Sequence, residues 1–198
     1  MAKLVFYYGS MNSSKSAQLI MTLHNFRQQG KKAIAFKSAI DTRDVNIHSR
    51  ALNTEIEAIP IRETDVGRMF SLATLKQELN EVDFIFVDEV QFLSPELVEE
   101  LSDIVDRLGI DVICYGLLTD FKGNLFAGSQ KLVELGDSVR EIKNQCYHCK
   151  NKANRNMRLL DGVPVFDGEI VQVGAEESYR SVCRKCYKEL REKYSVTA

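Results

Sequence analysis

Leu4-Val5-Phe6-Tyr7-Tyr8-Gly9-Ser10-Met11-Asn12-Ser13-Ser14-Lys15-Ser16 is the stretch on which the reading of this chain turns. Leu4 to Tyr8 is an apolar run too short for a helix and rich in β-formers, so it predicts a buried strand. Gly9 to Ser14 is a turn of small residues. Ala17-Gln18-Leu19-Ile20-Met21 through Phe26 then follows helical apolar spacing and stops near Gly30. Between a strand and a helix, Gly9-x-x-x-x-Ser14-Lys15-Ser16 fits the phosphate-loop pattern G-x-x-x-x-G-K-[ST] at every place but one. The amides of Gly9, Ser10, Met11, Asn12, Ser13 and Ser14, with the helix N-terminus, would cradle a triphosphate. Lys15 would reach the β- and γ-phosphates, and Ser16 would ligate Mg²⁺. The exception is Ser14, which stands where the pattern has its second glycine and gives up that glycine's conformational freedom. A polar turn capping a helix is the plainer alternative; the flanking strand and helix favour phosphate.

Further strands are expected at Ala33-Ile34-Ala35-Phe36, Phe84-Ile85-Phe86-Val87, Val112-Ile113-Cys114-Tyr115 and Val139-Arg140-Glu141-Ile142. Helical spacing over residues 66–79 and from Pro95 to Leu108 lies between them. Ser94 is the expected N-cap of the latter, Pro95 its first residue and Gly109 its stop. Strands alternating with helices predict an α/β fold, a parallel sheet flanked by helices. Residues 41–50 read as a polar loop, in which Asp41-Thr42-Arg43 and Arg50 are either solvated or turned toward the phosphates. Asp88-Glu89 ends the clearest buried strand, the arrangement in which a carboxylate holds Mg²⁺. Asp88 would take that role, and Glu89 would take a proton from an attacking hydroxyl. Phe92, Leu117, Phe121 and Phe126 follow strand ends, where aromatics either sandwich a base or pack in the core.

Cys146-x-x-Cys149 and Cys183-x-x-Cys186, 33 residues apart, are two thiolate knuckles suited to a closed tetrahedral Zn²⁺ site. Redox dithiols are the alternative. Cys114 lies in an apolar run and reads as an inert core thiol. The α/β pattern breaks near residue 143, which suggests a core over 1–143, a second domain over 144–191 and a tail over 192–198. Zinc joining the two knuckles would close residues 150–182 into a loop able to fold over a ligand. Gly168 to Gly174 inside that loop is either a ligand-facing stretch or a plain strand.

Composition excludes little. At 198 residues and 44% hydrophobic, the chain can bury roughly 70% of its unfolded surface without disulfides. Its 26 Lys and Arg against 28 Asp and Glu give a net charge of −2, which argues against a general nucleic-acid binder. The start of the chain does not read as a signal peptide, and no apolar run is long enough to cross a membrane. A cytoplasmic protein is expected.

The combination resembles one family, the type II thymidine kinases. It is carried by Tyr8-Gly9-Ser10-Met11-Asn12 with Lys15-Ser16, by Asp88-Glu89-Val90-Gln91-Phe92, and by Tyr115-Gly116-Leu117 with Thr119-Asp120-Phe121. Tyr179-Arg180-Ser181-Val182-Cys183-Arg184-Lys185-Cys186 completes it. The resemblance implies a RecA-like P-loop core, a small C-terminal zinc-binding lasso, and transfer of the γ-phosphoryl of ATP to the 5′-hydroxyl of thymidine. It implies Glu89 as base and Asp88 and Gln91 in the nucleotide site. Met11, Phe92, Leu117, Phe121, Phe126, Tyr179 and the stretch Val171, Gln172, Val173 and Gly174 would line the thymidine pocket. Cys146, Cys149, Cys183 and Cys186 would hold zinc. A homotetramer inhibited by dTTP is implied as well. Two other classes stay open on the residues alone: a P-loop ATPase with a nucleic-acid-binding zinc ribbon, and a non-catalytic zinc module on a degenerate P-loop core.

Overall fold

The computed structural model describes residues 1–39, 46–170 and 178–195. Six strands form one parallel sheet in the order β5-β2-β6-β7-β1-β8: Ile59–Ile61 (β5), Ala33–Ser38 (β2), Phe84–Asp88 (β6), Asp111–Gly116 (β7), Leu4–Gly9 (β1) and Ser138–Ile142 (β8). Every pairing in it is parallel. β7 therefore separates the strand leading into the phosphate-type turn from the strand ending in Asp88. All six strands feed their loops to one end, and crevices outside the carboxyl ends of parallel strands are where such sheets bind ligands.

Side-chain alternation splits the sheet between two cores. Along β6, Ile85 and Val87 face one cluster and Phe84 and Phe86 the other. The first cluster is closed by helices α2 (Arg68–Glu78), α3 (Pro95–Asp103) and α4 (Ala127–Leu135) through Met69, Ala73, Leu97, Val98, Leu101 and Leu132. The second is closed by α1 (Lys15–Gln28), through Leu19, Ile20 and Leu23, and by a two-stranded hairpin, β3 (Ile47–Ser49) with β4 (Thr54–Ile56). Cys114 is fully buried, and burial pushes its thiol pKa up, so it is a core residue as expected.

The helix starting at Pro95 begins as its sequence predicts. Ser94 Oγ accepts from the Leu97 N–H and proline occupies the first turn. Where one helix was expected to Leu108, the last five residues, Ile104–Leu108, widen into a π-helical turn before Gly109 takes a left-handed φ of 67°. The loop expected at 41–50 is corrected in its second half, because β3 begins at Ile47; residues 41–45 lie outside the described residues.

Beyond β8 the chain builds a second, three-stranded antiparallel sheet in the order β10-β9-β11: Val163–Val165 (β10), Arg155–Leu160 (β9) and Ser178–Val182 (β11). Helix α5 (Arg184–Ser195) follows and runs past residue 191. Met157, Leu159, Val182 and Tyr187 share a small core with Cys146 and Cys183. On the opposite face of β9, Asn156 and Arg158 are buried against the large sheet's loops: Asn156 reaches Met11 and Thr119, and Arg158 lies over the Phe121 ring.

Candidate active site

The turn from Gly9 to Ser14 is tight. A Cβ on Gly9 would lie 2.3 Å from Ser13 Oγ and 3.0 Å from Ile142 O, so a larger residue there would force Ser13 to shift. Asn12 and Ser14 both take left-handed backbone angles, with φ of 58° and 63°. Asparagine tolerates that region; serine adopts it at a cost. Ser14 is the N-cap of α1 yet makes no capping bond through its side chain. Lys15 is buried, and its Nζ donates to Ser10 O at 2.9 Å. Desolvation lowers its pKa, against the opposing pull of Glu89 and Asp88.

Asp88, at the end of β6, is 3% exposed and accepts from Ser16 Oγ at 3.1 Å. That bond joins the phosphate-type turn to the carboxylate strand across the intervening β7. Burial first, and the adjacent Glu89 carboxylate second, raise the Asp88 pKa to about 7. A hydroxyl and a carboxylate meeting at one point form an oxygen donor set of the kind Mg²⁺ prefers.

Glu89 sits in a left-handed conformation, φ 54°. Such angles in non-glycine residues cost about 1–3 kcal/mol and cluster at functional sites. Gln91 fixes its side chain: Nε2 donates to Glu89 Oε2 while Oε1 accepts from the Leu117 N–H at 2.9 Å. Gly116 makes room for that bridge, since a Cβ there would lie 2.5 Å from Gln91 Oε1. Ser129, fully buried, donates to Leu117 O at 2.5 Å and holds the same loop from the other side.

Met11, Asn12, Ser13, Ser14, Lys15, Ser16, Glu89 and Leu117 line one cleft of about 410 Å³. His48, Ser49, Arg50 and Ala51 close its other wall, from the end of β3 and the turn after it. Of these only Arg50 stood out in the sequence. Phe92 and Phe126 pack edge to face at 5.7 Å, both half-buried. Phe121 is buried, and its carbonyl accepts from Tyr187 Oη at 2.7 Å. Tyr179 O lies 3.5 Å from Asn12 Nδ2. The expected residues Val171, Gln172, Val173 and Gly174, and likewise Asp41 to Arg43, lie outside the described residues.

The four knuckle sulfurs gather within 4.8 Å of one another. Cys149 Sγ is 3.6 Å from Cys183 Sγ and 3.7 Å from Cys186 Sγ. A tetrahedron with metal–sulfur bonds of about 2.3 Å has sulfur–sulfur edges of about 3.8 Å, so the spacing suits Zn²⁺. The Cys186 N–H donated to Cys183 Sγ pulls the Cys183 thiol down to about 6, the ionised form that ligates metal. The same cluster pushes Cys186 up to about 12, chiefly through its bond to Cys183.

Three polar residues had no site role in the sequence reading. Asn144, Asn156 and Ser181 all bond to the backbone of Met11. Nothing in the local pattern marks Asn144 or Asn156, and Ser181 stood out only as part of the motif leading into the second knuckle, because the partner of all three lies more than 130 positions away.

Comparison with known proteins bears on this arrangement. A thymidine kinase of Streptococcus pyogenes (serotype M3, strain MGAS315) is 40% identical over 189 residues, covering 94% of this chain and 97% of its own. A thymidine kinase of Streptococcus agalactiae (serotype Ia) matches at 40% identity with the same coverage. Among solved structures, the Pif1 helicase of Candida albicans overlaps 72% of this chain and 36% of its own at TM-score 0.46 and 18% identity, too partial a likeness to bear on function. The thymidine kinase family model matches residues 2–187, and with relatives of that identity over nearly the whole length, the chain belongs to the thymidine kinase family.

Proposed function

We propose that the chain transfers the γ-phosphoryl group of ATP to the 5′-hydroxyl of thymidine, giving dTMP and ADP, in pyrimidine deoxynucleoside salvage. The observation that carries this reading is the Ser16–Asp88 bond, which ties the phosphate-type turn to the buried carboxylate beside Glu89, and Ser16 and Glu89 line the same cleft in a chain of this family. Phosphoryl transfer asks chiefly for positioning and charge neutralisation. In this reading the amides of Gly9 to Ser14 and the α1 N-terminus hold the triphosphate, and Lys15 adds its charge. Ser16 and Asp88 hold Mg²⁺, which supplies further neutralisation on the phosphates.

Glu89 takes the proton of the 5′-hydroxyl. Its carboxylate is oriented by Gln91, whose amide cannot flip without losing the Leu117 N–H. The thymidine pocket is assigned to Met11, Phe92, Leu117, Phe121, Phe126, Tyr179 and Val171–Gly174. Recognition of a pyrimidine through backbone atoms would admit deoxyuridine too. Cys146, Cys149, Cys183 and Cys186 hold a structural zinc, a role their spacing supports. Residues 1–143 then form the nucleotide-binding core and the chain from 144 the lid, which α5 carries beyond the expected boundary at 191. A homotetramer, feedback inhibition by dTTP and a cytoplasmic location with no nucleic-acid or membrane partner complete the proposal, on the family resemblance. No helix among the described residues is long and apolar enough to cross a membrane.

The test is a nucleoside panel with γ-labelled ATP and Mg²⁺. Label should appear in the 5′-monophosphate with thymidine and not with 5′-deoxythymidine. Hydrolysis of ATP at one rate with either nucleoside or none would count against the reading.

A further inference from the structure

Three side chains of the C-terminal module converge on one residue of the phosphate-type turn. The Met11 N–H donates to Asn156 Oδ1 at 2.8 Å. The Met11 carbonyl accepts from Ser181 Oγ and, at 3.3 Å, from Asn144 Nδ2. Asn144 Nδ2 also lies 3.4 Å from Ser10 Oγ, and Asn156 Nδ2 donates to Thr119 O at 3.1 Å, tying the turn to the loop after β7. Asn156 is 4% exposed and Ser181 7%, so water competes little for these bonds.

The bonds fix two successive peptide planes. In a trans peptide the C=O and the following N–H point opposite ways. The Met11 N–H shares its plane with Ser10 O, and Ser10 O is the acceptor of Lys15 Nζ at 2.9 Å. Asn156 therefore sets the plane on which Lys15 docks. The Met11 carbonyl shares its plane with the Asn12 N–H. Holding that carbonyl from the C-terminal module turns the Asn12 amide away from the module.

The clamp is itself seated by the cysteine knuckles. Asn144 stands two residues before Cys146, and Ser181 two before Cys183. The Asn144 carbonyl accepts from the Ala153 N–H at 2.8 Å, and the Ser181 carbonyl from the Tyr147 N–H at 2.9 Å. Joining the knuckles thus places Asn144 and Ser181 on the same carbonyl from two sides.

We propose that Ser181, Asn144 and Asn156 are positioning residues for the phosphate-binding turn, so that the sulfur-pinned module sets affinity for the ATP triphosphate as well as covering the nucleoside. This rests on the reading of residues 9–16 as the triphosphate site.

The experiment measures MgATP binding by calorimetry without thymidine, ATP and thymidine kinetics, and zinc content, on the full chain and on Ser181→Ala, Asn144→Ala and Ser181→Thr. Ser181→Ala should weaken MgATP binding roughly five- to ten-fold, the loss expected for one buried hydrogen bond. KM for ATP should rise with kcat nearly unchanged and zinc held at the level of the unaltered chain. Asn144→Ala should show the same pattern, and Ser181→Thr, which keeps the hydroxyl, should restore affinity. Unaltered MgATP affinity in both alanine variants with zinc retained would overturn the proposal. So would losses that only track missing zinc, or no restoration by threonine. An unaltered chain that binds no MgATP would sink the phosphate-site reading and this inference with it.

Discussion

Ser14→Gly isolates the energetic cost of the one departure from the phosphate-loop pattern. Ser14 has φ 63° and ψ 27°, is exposed, and makes no capping bond through its hydroxyl. Replacing it removes no capping bond, so the effect is chiefly a backbone effect. A left-handed conformation costs an ordinary residue about 1–2 kcal/mol. Glycine relieves that strain but loosens the unfolded chain by about 0.4–1 kcal/mol. The net expectation is a gain of about 0.5–1 kcal/mol. For a chain of 198 residues that corresponds to a rise of roughly 1–4 °C in Tm. The assay is thermal unfolding of the two proteins under the same buffer, with MgATP affinity measured alongside. Ser14→Ala is the control, since alanine shares serine's left-handed penalty and should not gain. A Ser14→Gly protein no more stable than Ser14→Ala would refute the strain argument. A loss of MgATP affinity on adding glycine would show that the serine itself serves the turn.

Two further outcomes follow from the carboxylate side of the cleft. Gly116→Ala would drive a methyl to 2.5 Å from Gln91 Oε1 and break the bridge to Glu89; overpacking of about 1–3 kcal/mol and a fall in kcat larger than the change in MgATP affinity are expected from unfolding curves and kinetics. In metal-free protein the Asp88 pKa lies above its unfolded value, so the native state binds the extra proton between pH about 4 and 7. The stabilisation this gives is present at low pH and is lost as pH rises through that window. Chemical unfolding at several pH values should therefore show the native chain losing stability relative to Asp88→Asn from pH 4 to 7; a constant difference would contradict the assignment.

The parts legible in sequence are those whose signal is local. β1 with its turn and α1, β6 with its terminal Asp88, and each C-x-x-C pair carry their meaning in neighbouring residues. The β3–β4 hairpin was not legible, because Ile47, Ser49 and Ile56 are the only residues of its strands turned inward enough to leave a trace. Yet its end supplies His48 and Arg50 to the cleft wall. The π-helical turn at Ile104–Leu108 keeps helical spacing in sequence and shows only in backbone geometry. Asn144 and Asn156 read as unremarkable polar positions, and Ser181 only as part of the motif before the second knuckle. Their role depends on Met11, which topology brings across more than 130 residues. Gln91 was expected in the nucleotide site; the structure adds that its side chain bridges Glu89 and the loop after β7.

Turnover requires Glu89 to meet a hydroxyl while the turn before Lys15 holds the phosphates. The most direct measurement pairs pre-steady-state turnover of thymidine with MgATP calorimetry for Glu89→Gln. Loss of a general base lowers turnover by roughly 10²–10⁴-fold, so kcat should fall by that order while the Kd for MgATP stays within a few-fold. Equal losses in turnover and in nucleotide binding, or full turnover in the variant, would contradict it.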